Sequence, residues 1–357
     1  MTDPPVADRP APQGPAPLGS APPAEAVPAF RDAWPWARPV RLTGWMERNG
    51  FTPLWAAALV FVLAFLLFQL VVSPLVIAIG IGIDVARSGG GSDVGALMEG
   101  VLENGRLLLT ANTVGQAVGF GLLAVAVARL HSPDAWEYLR VRRPDGPGLA
   151  LAALGWATLY PAVLWAGQLN ESLPQPEWLR QFEQSQVELL EGALLGSDLS
   201  TAFLFVALAL TPAICEELLF RGYLQRQVER RGGAVASIVV VGVLFGVYHL
   251  RLSQVVPLSM LGIYMGFVVW ATGSLWAGVA VHLLNNGLAV AVAAVAKHRG
   301  DVDMAEIEAA TFPWYLGIGG LVLTYAVVQA LLRRRHAVVG DRDDAEPVTA
   351  PPHRPAT

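Results

Sequence analysis

The chain has 357 residues, of which 54% are hydrophobic and 15% charged, and its mean hydropathy of +0.47 is well above that of soluble domains. This composition excludes an ordinary soluble protein and indicates that a lipid bilayer is the solvent. The net charge is only -5 and the basic residues lie in short clusters, so we expect no nucleic-acid partner. Cys215 is the only cysteine, which excludes an internal disulfide and a thiolate-rich metal site.

Both ends of the chain have the composition of disordered tails. From Met1 to about Pro39 the sequence carries eleven prolines, and such a segment cannot bury enough apolar surface to offset the entropy of ordering. No charged segment leads directly into an apolar run with a cleavage site, so we expect no cleaved signal peptide. The sequence predicts a disordered cytoplasmic tail and juxtamembrane segment at 1–50, a membrane domain at 51–336 and a disordered cytoplasmic tail at 337–357.

Eight apolar runs lie between the tails, and most reach the roughly 20 residues that a helix needs to cross about 30 Å of hydrocarbon. Open strands would leave their backbone groups unpaired in lipid, so helices are expected. The runs are 53–83, 107–130, 147–169, 199–224, 234–250, 255–272, 274–296 and 313–332. The sequence therefore predicts an all-α, polytopic membrane helix bundle of about eight transmembrane helices. Pro74 predicts a kink or a surface segment in the over-long first run.

Arginine clusters lie at four ends of these runs. Clusters precede the first run and follow the second, fourth and eighth runs, whereas the alternate loops are acidic; the clusters contain Arg31, Arg38, Arg41, Arg48, Arg129, Arg140, Arg142, Arg143, Arg226, Arg230, Arg231, Arg333, Arg334 and Arg335. Basic loops stay on the cytoplasmic side. We therefore expect a multi-pass protein of the inner (plasma) membrane with both termini in the cytoplasm.

Three of the runs contain a glutamate or a histidine. Each charged group costs about 2.5 to 3.5 kcal/mol at the centre of a membrane helix on insertion scales, so each requires a reason. The fourth run contains the adjacent Glu216 and Glu217, the fifth contains His249 near its end, and the seventh contains His282 and Asn286. These residues are candidates for a buried functional site.

Helical spacing sorts the residues of the fourth run by face. Glu217 and Arg221 stand at i, i+4 and are expected to form an ion pair. Glu216 is rotated by about 100° from Glu217, so it is free to point elsewhere. Spans four and five are joined at the helix-ending pair Gly232-Gly233. Equal spacing from that pair predicts that Glu216 faces His249 across an antiparallel hairpin.

The other helices of this region supply further expectations. His282 and Asn286 share one face of the seventh run, and Asn285 points away from it. Small residues predict close helix contacts at Gly242, Gly246, Gly262 and Gly266. Such contacts would bring the polar side chains of neighbouring helices together.

The ordered motifs Glu-Glu-x-x-Phe-Arg-Gly, Phe-x-x-x-His and His-x-x-x-Asn resemble those of the type II CAAX prenyl endopeptidases and their bacterial, including bacteriocin-processing, relatives, the CPBP family. The resemblance covers about residues 199–290, a CAAX-protease-like core. The motif residues are present without substitution at Glu216, Glu217, Arg221, Phe245, His249, His282 and Asn286. The resemblance implies an intramembrane glutamic endopeptidase without a cofactor, acting on a membrane-anchored protein or peptide in the lipid bilayer.

The residues themselves can supply the chemistry of amide hydrolysis, which needs an activated water, donors for the oxyanion and a proton for the leaving amine. Glu216 with His249 could hold and deprotonate the water. His282 and Asn286 could donate to the carbonyl oxygen, where one donor is typically worth about 2.7 to 4 kcal/mol. The resemblance implies the same roles. It also implies supporting roles for Glu217, Arg221 and Phe245.

Two alternatives remain open from the sequence. A zinc peptidase could use two histidines and a glutamate, although the helical His-Glu-x-x-His signature is absent and the histidines lie on different helices. A non-catalytic scaffold or transporter could keep the polar cluster for folding or ion passage, although no clear inverted repeat is visible.

The remaining polar and aromatic residues have plainer expectations. Packing is the expected role of Phe245, Tyr248 and Tyr264. Solvated side chains are expected at His131, His298, His336 and His353. Arg251 follows His249 closely, and the sequence leaves open whether it caps the fifth span or lines a cavity.

Overall fold

The computed structural model describes residues 29–30, 32–35, 37–87, 100, 104–195, 199–299 and 312–340. A short antiparallel sheet pairs β1 (Ala29–Phe30) with β2 (Val40–Arg41). The helices are α1 (Trp45–Arg48), α2 (Pro53–Arg87), α3 (Gly105–His131), α4 (Ala135–Tyr138), α5 (Gly146–Glu171), α6 (Glu177–Leu195), α7 (Thr201–Tyr248), α8 (Val255–Thr272), α9 (Leu275–Arg299) and α10 (Trp314–Val339). The predicted all-α membrane helix bundle is confirmed.

In the described ranges, seven helices are long and apolar enough to cross a membrane: α2, α3, α5, α7, α8 with the turn before it, α9 and α10. The predicted fourth and fifth runs both lie in α7, which has 48 residues. Gly233 interrupts α7 with φ 77° and ψ 179°, a left-handed conformation that glycine adopts without steric cost. We call residues 201–232 the first arm of α7 and residues 234–248 its second arm.

Helix α8 packs against both arms of α7 and shows that they run antiparallel. Arg221 donates to the carbonyl of Gly262 at 3.0 Å, and Gly242 on the second arm approaches the same glycine. One turn along α8, Gln225 donates to the carbonyl of Gly266 at 3.0 Å, where Ile238 also lies. Residue numbers therefore rise on the first arm as they fall on the second, as in the predicted hairpin.

Glycine makes this packing possible. A Cβ atom on Gly262 would lie 2.4 Å from the carbonyl oxygen of Gly242, and one on Gly246 would lie 2.3 Å from Ser259 Oγ. Real side chains do not approach so closely. The backbones of α7 and α8 therefore come together as the small-residue pattern predicted.

Two helices contain a proline that directly follows a wide π-helical segment. The π segment Leu66–Val72 comes just before Pro74 in α2, and Val206–Leu210 comes just before Pro212 in α7. A proline removes a backbone donor and crowds the preceding turn, and a wider turn relieves that clash. The first predicted span is therefore one helix of 35 residues, Pro53–Arg87.

The prediction of a disordered tail up to about Pro39 is wrong for the described residues 29–30, 32–35 and 37–39. Trp34 and Val40 are buried, and Asp32 pairs with Arg226 at 2.5 Å and with Arg140 and Arg142. Phe30 lies under the Arg226 guanidinium at 4.8 Å. The average composition of the tail concealed a few aromatic and acidic residues that dock on the bundle.

The predicted C-terminal tail differs from the structure in where it begins. The tail predicted at 337–357 begins late, because α10 continues to Val339; residues 1–28 and 341–357 lie outside the described residues.

His131 is fully buried rather than solvated, since its Nδ1 donates to Glu47 at 2.7 Å and Gln227 lies 2.8 Å from its Nε2. His336 is exposed as expected.

Candidate active site

A buried ion pair on the first arm of α7 forms the base of the candidate site. Arg221 Nη1 donates to Glu217 Oε1 at 2.6 Å, and both side chains are fully buried. The arginine also bonds the Gly262 carbonyl of α8 and lies 4.4 Å from the centroid of the Phe245 ring. The pair lies at the start of the π segment Leu218–Leu224, and such segments often accompany functional sites. The predicted Glu217 to Arg221 contact is therefore present.

His282 on α9 lies between the two adjacent glutamates. Its Nδ1 is 3.1 Å from Glu217 Oε1, and its Nε2 is 4.0 Å from Glu216 Oε2. A carboxylate oxygen only accepts, so Nδ1 carries the hydrogen. Gly278 permits this approach of α9, because a Cβ there would lie 2.7 Å from Glu217 Oε2. Glu217 thus orients His282 and holds Arg221 through one oxygen.

Glu216 is buried but keeps an open acceptor. Only 8% of the residue is exposed, and in the described part of the chain its Oε2 has no hydrogen-bond partner. In the described residues it forms no ion pair with Arg221, which agrees with its rotation of about 100° from Glu217. A buried carboxylate oxygen without a donor is costly, so this atom is suited to bind a water or a substrate group.

His249 directly follows the second arm of α7 and is half-buried. Its Nδ1 donates to the Phe245 carbonyl at 2.8 Å, which leaves Nε2 as the acceptor of a neutral ring. The Phe245 ring lies edge-on between the two histidines, 4.9 Å from His249 and 5.7 Å from His282 between centroids. Phe245 therefore connects both histidines and Arg221.

The register of the α7 arms places Glu216 slightly away from its predicted partner. Arg221 lies level with Gly242, because both meet Gly262. By the same register Glu216 lies level with Val247, two residues before His249. Glu216 and His249 therefore lie at depths that differ by about two residues, rather than at the equal depth that was predicted. The Phe245 ring lies between His249 and His282.

Asn286 lies one turn after His282 and faces the same helix. It donates to the Leu208 carbonyl of α7 at 3.1 Å and accepts from Asn285 at 3.2 Å. Asn285 in turn accepts from Trp156 of α5 at 3.3 Å. His282 and Asn286 share the α7-facing side as expected, whereas Asn285 faces α5 and also supports Asn286.

A residue that was not predicted from the sequence holds the segment after His249. Glu183 of α6, which the sequence shows only as one acid of an acidic loop, accepts from Leu252 N and from Ser253 Oγ, both at 2.5 Å. Leu250 has a left-handed φ of 54°, a strained value for a branched side chain. Glu183 therefore stabilises a bent segment next to His249. Arg251 begins the turn that follows and accepts from the Gln254 backbone at 3.1 Å.

The site has an apolar neighbour on the bundle surface. A groove of about 330 Å³ lies between α4, α7 and α9 and is lined by Trp136, Val141, Ile214, Leu218, Leu275, Trp276 and Val279. Ile214 and Leu218 flank the glutamates on α7, and Val279 precedes His282 by one turn. The described residues contain no group of three or more His, Cys, Asp or Glu side chains placed to hold a metal ion.

Residues 198–288 match the family model described as type II CAAX prenyl endopeptidase Rce1-like. The matched segment contains α7, α8 and the part of α9 that carries His282 and Asn286. The resemblance inferred from the motifs is thus confirmed over this segment, and the match supports a protease of the CAAX type in general. No curated protein and no solved structure matches the chain.

Proposed function

We propose that this multi-pass membrane protein, whose residues 198–288 match the type II CAAX prenyl endopeptidase Rce1-like family, hydrolyses a peptide bond of a membrane-associated protein or peptide with a glutamate-activated water. The observation that carries the proposal is the buried group in which His282 lies between Glu216 and Glu217. Arg221 holds the second of these carboxylates. Placing such a group inside apolar helices costs free energy, so its presence indicates a function.

Glu216 is the proposed general base. Its open Oε2 accepts a proton from the water as the water oxygen bonds to the substrate carbonyl carbon. The carbonyl electron pair moves to oxygen and forms a tetrahedral oxyanion. When that intermediate collapses, the C–N bond breaks and the nitrogen receives the proton that Glu216 took.

His282 and Asn286 are the proposed donors to the oxyanion. His282 presents its Nε2 on the Glu216 side of the ring, and this nitrogen donates when the ring is protonated. Asn286 uses one amide hydrogen on the Leu208 carbonyl and has a second one for the substrate. His249, with its Nε2 as an acceptor, assists in orienting the water or the leaving amine.

Glu217, Arg221 and Phe245 are the proposed supporting residues. Glu217 orients His282, Arg221 neutralises Glu217, and Phe245 packs against both histidines and the guanidinium. Buried charges need this kind of compensation. None of the three is required to touch the substrate.

The proposed substrate is anchored in the lipid bilayer. The groove between α4, α7 and α9 is apolar, and its lining includes Ile214 and Leu218, which flank the glutamates in the sequence of α7. Trp136 and Trp276 lie at its rim, both about half exposed. Tryptophan favours the membrane interface, so the rim fits the boundary between lipid and water. A hydrocarbon chain in this groove would place an attached peptide near Glu216. The proposed mechanism uses no metal cofactor and no nucleic acid.

Comparative proteomics of membranes tests the proposal. Cells that contain Glu216→Ala should accumulate uncleaved precursors that wild-type cells process, and Cys215→Ala, which changes the adjacent residue of the same helix, should resemble wild type. Full complementation by Glu216→Ala would favour a scaffold or transporter. Stoichiometric zinc in purified protein, with activity lost to a chelator, would instead favour a zinc peptidase.

A further inference from the structure

Tyr248, the last residue of α7, has a ring that is fixed on four sides. Its centroid lies 5.4 to 5.8 Å from four phenylalanine rings, each in an edge-to-face arrangement; these are Phe61, Phe65, Phe120 and Phe220. Edge-to-face packing of this kind restricts the ring. The hydroxyl at the end of the ring therefore has a defined position in an apolar cage supplied by α2, α3 and α7.

The Tyr248 hydroxyl has no hydrogen-bond partner among the described residues, although only 8% of the residue is exposed. Other buried tyrosines of this chain follow the usual rule that a buried hydroxyl is paired. Tyr264 donates to the Ala152 carbonyl at 2.7 Å, and Tyr138 accepts from Gln227 at 2.8 Å. The unpaired hydroxyl of Tyr248 is not explained by packing alone.

Glu216 lies close to this cage, because the preceding residue, Cys215, packs against Gly121 of α3, and the neighbouring Phe120 contacts the Tyr248 ring. The two residues lie at nearly the same depth, because the register of the arms places Glu216 level with Val247, the neighbour of Tyr248. Glu216 Oε2 also lacks a partner. Two buried polar atoms without a described partner, one a donor and one an acceptor, thus lie at a similar depth on the two arms of α7.

We infer that the Tyr248 hydroxyl and Glu216 Oε2 together hold the water that attacks the substrate, an inference that rests on the function proposed above. The tyrosine O–H donates to the water oxygen, and the water donates one hydrogen to Oε2. A buried water needs two to four polar partners, and these two atoms supply two. The second lone pair of the water remains free to bond to the carbonyl carbon.

This arrangement makes Tyr248 a catalytic residue rather than a packing residue. Tyr248→Phe keeps the ring and its four aromatic contacts but removes the donor to the water. Tyr264→Phe is the matched control, because it removes the hydroxyl of an equally buried tyrosine whose partner is a backbone carbonyl of α5. A lost hydrogen bond to a charged network typically changes a rate by roughly 10- to 100-fold.

The experiment measures turnover of a prenylated CAAX peptide, labelled on both sides of the scissile bond, by purified full-length variants, normalised to folded protein. We expect Tyr248→Phe to lower kcat by roughly 10- to 100-fold with KM unchanged. We also expect the acid limb of its pH–rate profile to move to higher pH, since the charged base loses support. Tyr264→Phe should keep the wild-type kcat and profile.

A high-resolution structure of the wild type in a lipid nanodisc supplies a measurement that needs no substrate. A water within about 3.2 Å of both Tyr248 Oη and Glu216 Oε2 is expected, and it should be displaced in Tyr248→Phe. The inference is overturned by a wild-type profile in Tyr248→Phe, by equal losses in both tyrosine variants, or by a structure without the bridging water. Full turnover by Glu216→Gln would instead overturn the proposed function itself.

Discussion

The two adjacent glutamates of α7 differ in their surroundings and therefore in their expected roles. Glu217 is fully buried and bonds both Arg221 and His282 through its Oε1. Glu216 has no such ion pair with an arginine in the described part of the chain, and each of the two carboxylates keeps its Oε2 without a hydrogen-bond partner there. A difference of about 100° around the helix axis separates the two side chains. Substitution by glutamine, which keeps the size of the side chain, can test each role separately.

Glu216→Gln should abolish most activity without unfolding the protein. Glutamine cannot accept the water proton, so turnover per folded molecule should fall by roughly 10²- to 10⁴-fold, the usual contribution of a general base. The measurement is turnover of a membrane-anchored peptide in detergent, together with a thermal melt. Near-normal turnover in this variant would rule out Glu216 as the base.

Glu217→Gln should reduce stability more than it reduces turnover per folded molecule. The change leaves Arg221 buried without its charged partner, and removal of one partner from a buried ion pair typically costs about 3 to 5 kcal/mol of stability. We expect a lower melting temperature and lower yield, with residual turnover per folded molecule. Equal catalytic loss in both glutamine variants, with equal folding, would show that the two carboxylates act as a coupled pair.

At the scale of elements, the close contact between α7 and α8 positions the Arg221 side chain. The Gly262 carbonyl accepts from Arg221, and the same glycine meets Gly242 on the second arm. A side chain at this crossing would separate the helices. It would therefore disturb the ion pair as well as the packing.

Gly262→Ala should lower both stability and activity. Its Cβ would lie 2.4 Å from the Gly242 carbonyl oxygen, and overpacking of this kind typically costs about 1 to 3 kcal/mol. Gly319→Ala in α10 is the matched control, because a Cβ there meets nothing within 4 Å. Thermal melts of the purified variants decide the comparison. Equal melting temperatures for the two variants would contradict the close packing of α8.

At the scale of the whole molecule, charge is distributed unequally between the two ends of the bundle. The described N-terminal residues, α4 and the turn of α7 at Gly233 lie at an arginine-rich end, where Asp32 and Glu47 are embedded among basic side chains. Helix α6 follows the C-terminal end of α5, at the other end of the bundle, and carries acidic residues. This asymmetry supports a prediction about orientation and one about pH.

The arginine-rich end should face the cytoplasm. Single cysteines at positions 20, 232 and 345 in a Cys215→Ala background should be labelled only after the membrane is made permeable. Leu173→Cys is the control from the other end, since Leu173 lies exposed between α5 and α6, and it should be labelled from outside. Labelling of position 232 from outside intact cells would reverse the predicted topology.

The same end should make the protein sensitive to acid. Burial raises the pKa of the Asp32 carboxyl, but Arg226, Arg140 and Arg142 outweigh it and hold that pKa well below its usual value. Burial likewise raises the pKa of Glu47, and hydrogen bonds from His131 and Arg230 lower it further than burial raises it. A depressed folded-state pKa contributes stability above the unfolded value, near 4, which is lost as the pH falls.

We therefore expect the melting temperature to be steady near neutral pH and to decline below about pH 4. Asp32→Asn should lower the melting temperature at neutral pH and flatten this decline, because an amide has no proton to gain. The measurement is a series of thermal melts across pH. A decline that is equally steep in Asp32→Asn would show that Asp32 does not contribute to it.

Local patterns in the sequence determined much of this protein. Apolar runs of sufficient length predicted the membrane helices, because the bilayer leaves a helix as the economical way to pair backbone groups. A spacing of four residues predicted the Glu217 to Arg221 pair and the shared face of His282 and Asn286. The glycine pattern predicted the close crossing of α7 and α8. These features depend on neighbours within one or two turns.

The tertiary structure alone decided which distant residues meet. The insertion of His282 between the glutamates, the docking of Asp32 on three arginines and the burial of His131 each join segments far apart in the chain. The same holds for Tyr248, whose cage comes from three helices. Such contacts depend on how helices pack and in what register, which local periodicity does not encode. The sequence could therefore name most candidate residues, whereas packing decided which of their polar atoms remain open for chemistry.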